Sequence, residues 1–162
     1  MAFSFKINDQ WGLLNLVFWG ELAGAETDEA LLSVVGDMSL PERRKIIRIG
    51  IDWRKVNAAS LQDTDGARVK NSTKRFKELL GFSSAEYDTL FKNLKQATLI
   101  DPFAPVAEVL VERLNRVSGQ YHSQLVNLQR ANQIEEFGLP GICTTQKQFL
   151  QALDLPPNFS TI

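Results

Sequence analysis

Two capping boxes and an Asp-Pro pair punctuate the chain, and they constrain its fold more than any other feature. Ser39-x-x-Glu42 and Ser83-x-x-Glu86 each offer a hydroxyl to the orphan N–H groups of a first helical turn and a carboxylate in return. Asp101-Pro102 supplies a cap, then a ring whose missing N–H costs nothing at a first helical position. Tyr87, Leu90, Phe91 and Leu94 follow the second box at helical spacing. Phe103, Val106, Ala107, Leu110, Leu114 and Val117 form a longer stripe behind Asp101, with Pro105 delaying its regular start.

Other segments read the same way. Thr27 caps a helix reaching about Met38, and residues 67–80 are amphipathic, with Gly81 as the stop. Tyr121, Leu125, Leu128, Ala131 and Ile134 mark a helix to about Phe137, and residues 146–153 a last short one. Phe3, Phe5 and Ile7 alternate with polar residues as an extended arm, whereas Trp11, Leu14, Phe18 and Leu22 fit a turn or short helix. Residues 42–55 fit both periods. Ile46, Ile49 and Trp53 suit a helix, while Ile47, Ile49, Ile51 and Trp53 alternate like a strand. The Ser39 box favours the helix. The expected fold is therefore mainly all-α: an antiparallel four-helix-bundle-like core, a short N-terminal extended arm and an extra helix within residues 57–90, in one domain spanning 1–162.

Composition excludes several function classes. A single cysteine, Cys143, rules out an intrachain disulfide framework, and a single histidine, His122, rules out any site needing two. Walker, dinucleotide-glycine, H-E-x-x-H, EF-hand and G-x-S-x-G patterns do not occur. A Cys143–His122 pair needs a fold that juxtaposes them, and a lone cysteine after a turn is ordinarily a small buried hydrophobe. No enzyme is expected. The run 11–19 is too short and too polar to span a membrane, and Asp9 and Asn15 break a signal-peptide pattern. The formal net charge of −1 hides an uneven distribution: residues 43–95 hold thirteen bases against six acids, between acidic flanks. A basic middle suits a local polyanion or the acidic end of a neighbouring subunit.

Several blocks, in order, resemble the coat proteins of rod-shaped plant viruses of the tobacco mosaic virus type. The opening Phe3-Ser4-Phe5, Gln10-Trp11 and Trp19 is similar to that family's start. Arg44, Ile46-Ile47 and Trp53 resemble its second core helix. Phe91-Lys92, Lys95, Ile100-Asp101-Pro102-Phe103, Glu112 and Asn115-Arg116 resemble its best-marked block, and residues 144–149 its closing turn onto a buried Phe. The resemblance implies a virion protein of the host cytoplasm that assembles helically with itself around single-stranded RNA. Arg44, Arg116 and Arg113 would bind phosphates. Asp52 and Asp101 would face each other across subunits, with calcium able to bridge them. A second reading, from the residues alone, is a soluble helical adaptor or regulatory protein that binds a protein partner, with the basic helix 67–80 as a contact surface.

Overall fold

A computed structural model describes residues 2–23, 26–60, 74–79, 81, 85, 93–115, 121–139 and 141–160. The chain is mixed α/β, not all-α. A five-stranded sheet runs in the order β1 (Ala2–Asn8), β2 (Leu13–Ala23), β3 (Arg48–Ser60), β4 (Lys95–Leu99) and β5 (Ile142–Cys143). β1 and β2 form an antiparallel hairpin, and β2 through β5 are parallel. Parallel neighbours need long crossovers. Helices α1 (Glu26–Gly36) and α2 (Leu40–Arg44) connect β2 to β3, and α3 (Ala107–Asn115) and α4 (Tyr121–Ile134) connect β4 to β5. Helix α5 (Gln146–Ala152) follows β5.

The sheet emerges from residues whose pattern also fitted helices. In β2, Leu13, Leu14, Asn15 and Leu16 are all buried, a near-continuous run confined to the start of the strand, where a second layer reaches its foot. In β3, Ile49, Ile51 and Trp53 alternate with Gly50 and Asp52, so the strand period is the one realised. The Ser39 box is real but serves only the five-residue α2, whose Glu42 N–H donates to Ser39 Oγ at 3.4 Å. Asp101 likewise caps a turn rather than a helix. Its Oδ1 accepts from the Phe103 N–H at 2.9 Å, and α3 begins only at Ala107. Of the expected helix at 67–80, residues 74–79 are helical and bury Phe76, and the remainder falls outside the described residues, as do most of 83–92.

Alternation divides the core between the two sheet faces. On the first face, Leu14, Leu16, Phe18, Ile49, Ile51 and Trp53 join Ala30, Val34 and Val35 of α1, Leu110 and Val111 of α3 and Leu128 of α4. On the second, Leu13, Ala97, Leu99 and Cys143 meet Phe149, Leu150, Leu153 and Leu155 from α5 and the segment behind it. Gly50 is where that layer comes closest, since a Cβ there would lie 2.7 Å from Phe149 Cζ. The second layer covers only β3 to β5 and the foot of β2. Among the described residues no helix lies over the second face toward β1, and β1 packs extensively on β2 alone among the described elements.

Candidate functional site

The uncovered part of the second face is a groove of about 660 Å³ over β1, β2 and β3. The strand register places its residues in rows. Lys6 of β1 pairs with Asn15 of β2, and Asn15 with Gly50 of β3. The next row is Ser4, Val17 and Asp52. A register shift in the β2–β3 ladder follows, between Val17 and Trp19, and brings Lys55 opposite Trp19. Arg54 and Lys55 therefore both line the groove beside Asp52. A smaller cavity of about 310 Å³ continues it past Lys6 and Asn15 to Phe159 and Ser160.

The groove is basic. Arg54 Nη2 lies 2.8 Å from Asp52 Oδ2, and Arg54 Nε donates to Oδ1 at 3.1 Å. The side-chain hydrogen bond to Asp52 raises the guanidinium above its ordinary pKa, against the opposing effect of burial. That pair is internally neutral, which leaves Lys6 and Lys55, both exposed, as the uncompensated charges on the lining. Between them sits Asn15, 4% exposed. Its Oδ1 is buried with no hydrogen-bond partner and rests against Gly50, 2.5 Å from where a Cβ would stand. The amide nitrogen is the part of that carboxamide left to serve the groove.

The residues singled out from the sequence do not come together in this way. Arg44 donates through Nη2 to the Gly81 carbonyl oxygen at 3.0 Å. Arg113, 7% exposed, donates through Nη1 to the Ser60 carbonyl oxygen at 3.1 Å and so ties α3 to the end of β3. Arg116 lies outside the described residues. Asp52 is engaged by Arg54, and Asp101 serves its own turn. Among the described residues no group of three His, Cys, Asp or Glu side chains is placed to hold a metal ion. No described helix is long and apolar enough to cross a membrane. Cys143 is fully buried, and burial pushes its thiol up to about 12, so it stays protonated and is a poor nucleophile. Lys6, Arg54 and Lys55 were missed because only strand pairing brings them together. Asn15, a polar interruption inside an apolar run, was the one visible signal.

No protein-family model matches the chain, and no curated protein does. Among solved structures it is similar to the anti-sigma factor antagonist SpoIIAA in its unphosphorylated form, at 13% identity over 73% of this chain and 99% of that one, with a TM-score of 0.34. So loose a likeness carries no argument about function. The resemblance to rod-shaped virus coat proteins is overturned. Its second core helix falls here on α2 and the long strand β3, and the molecule is built on a mostly parallel sheet rather than a four-helix bundle. The coat-protein function falls with it, and the RNA and inter-subunit roles of Arg44, Arg113, Arg116, Asp52 and Asp101 lose the ground on which they rested.

Proposed function

We propose that the chain is a non-catalytic module of the adaptor or regulatory class, which binds an extended segment of a partner protein in the groove over β1–β3. The observation that carries this reading is the half-covered second face. α5 and its following segment seal one side of it, and the other is left as a groove lined by Ser4, Val17 and the Asn15 carboxamide. With the carboxamide oxygen turned against Gly50, the Asn15 nitrogen is a donor that a carbonyl of a bound segment can accept from. A groove on a flat, pleated surface suits an extended chain, whose alternate side chains point to one face. The buried, protonated Cys143 supports a binding role over a thiol chemistry.

A random-sequence peptide library selected against the full chain tests the reading. Ligands are expected to bind the wild type and to lose at least about tenfold in affinity for Ser4→Trp, which fills the groove from an exposed strand position. Selected peptides that bind Ser4→Trp as well as the wild type, or the recovery of none, would overturn it.

A further inference from the structure

We infer that the segment this groove takes is acidic, with carboxylates about four residues apart on one face; this rests on the partner-binding reading above. The geometry supplies the spacing. Lys6 is opposite Asn15, and Lys55 is opposite Trp19, four positions further along the same strand. The two lysines are also two strands apart, which separates their backbones by roughly 16 Å, and their long side chains lean inward to less. An extended segment rises about 3.3 Å per residue, so acids at one position and the fourth beyond it reach both ammonium groups. The Asp52–Arg54 pair neutralises itself between them, so the lining carries a net positive charge only at these two corners. The line between the corners crosses β2 at Val17, and Asn15, in the same row as Lys6, adds its amide N–H as a donor at that end of the groove, which suits a backbone carbonyl of the same segment. Among the described residues neither Lys6 nor Lys55 has an ion-pair partner of its own.

Three fluorescein-labelled heptapeptides with the same alternating valine frame test this: one with glutamate at the intervening positions, one with glutamine and one with lysine. Anisotropy titrations on the full chain are expected to rank them glutamate first. The margin over glutamine should be about tenfold at low salt, the size two partly exposed ion pairs supply together, and should shrink as salt is added. The double charge reversal Lys6→Glu with Lys55→Glu should abolish that preference and favour the lysine peptide. Both positions are exposed on the strand surface, and circular dichroism checks that the variant is folded. If that variant fails to fold, the salt dependence and peptide ranking on the wild type decide alone. Equal affinity for the glutamate and glutamine peptides would overturn the inference while leaving the partner-binding reading standing. Failure of all three to bind would overturn both.

Discussion

The guanidinium of Arg48 lies over the indole of Trp11, 5.6 Å from the ring centroid, and its Nη1 donates to the carbonyl oxygen of the same residue. Arg48 Nε donates to the Leu153 carbonyl oxygen at 2.6 Å, and Asp154 holds the other side of the fork at 4.0 Å. One side chain at the start of β3 thus joins the β1–β2 turn to the end of α5. Phe159 adds an edge-on contact to Trp11, at 6.3 Å between ring centroids. This clamp sets the boundary between the covered and open halves of the second face. Arg48→Ala should cost about 2–3 kcal/mol, since two charge-assisted hydrogen bonds go and two carbonyls lose their partner. Arg48→Lys should recover little of it, because a lysine has no planar fork and stacks less well on the indole. Denaturant titrations of the two variants check both statements, and full recovery by lysine would show that charge alone matters there.

Gly50 marks the closest approach of α5 to the sheet. A Cβ at this position would sit 2.5 Å from Asn15 Oδ1, 2.7 Å from Phe149 Cζ and 3.2 Å from Leu153 Cδ1. Gly50→Ala is therefore expected to destabilise by about 1–3 kcal/mol through overpacking. The cost should fall when Phe149 is first shortened to leucine, because the two substitutions share one space. A double-mutant cycle measures this, with additivity as the result that would refute a shared contact.

Parts of this architecture were legible in the sequence, and the failures have definite causes. Phe3, Phe5 and Ile7 announce β1, the Ser39 cap is used as expected, and the last helix matches α5 within a residue. Phe149, the buried Phe that the coat-protein resemblance implied, is buried at 1% exposure, although the resemblance itself fails. The helical reading of 42–55 failed because Ile46, Ile49 and Trp53 satisfy a 3.6-residue period by coincidence. Four isoleucines within 46–51 and a glycine among them favour a pleated, closely approached strand. The cap upstream governs only the five-residue α2. β4 is not legible because Leu94 fits the preceding helical stripe, and because Ala97 and Leu99 are too short a pattern to stand alone. The groove depends on the pairing of three strands, two of them far apart in sequence, so local periodicity could not show it. Within the chain Asp52 pairs with Arg54, two residues on and at the same end of the strand.

Cys143 gives a signature at alkaline pH. Burial raises its thiol from 9.0 to about 12 in the folded chain. Above pH about 9 the unfolded chain releases this proton while the folded chain keeps it, so the unfolded state binds fewer protons and stability falls with rising pH. The contribution is intact below pH about 9 and is lost between there and about 12, at up to about 1.4 kcal/mol per pH unit. The wild type should therefore lose stability more steeply than Cys143→Ala across that window, even though the alanine variant starts lower because of its cavity. Thiol reagents should label Cys143 only as the chain unfolds. Parallel stability curves for the two proteins, or fast labelling of the folded chain at pH 8, would show that the thiol is not sealed in.

Asn15 separates a role in binding from a role in folding. Its side chain is almost completely buried, yet its Oδ1 has no partner, a position that selection for stability alone would fill with an apolar residue. Asn15→Val keeps a residue suited to a strand and removes the orphaned oxygen. The variant is expected to gain about 1 kcal/mol, since the cost of the unmade hydrogen bond disappears. In the same variant the glutamate peptide should bind several-fold more weakly, because the amide donor in the groove is gone. A structural residue moves stability and binding in the same direction; a residue kept for its ligand moves them in opposite directions. Thermal unfolding and anisotropy titration of this one variant measure both. A loss of stability on substitution would show that the carboxamide is part of the scaffold, with its oxygen satisfied in solution by water.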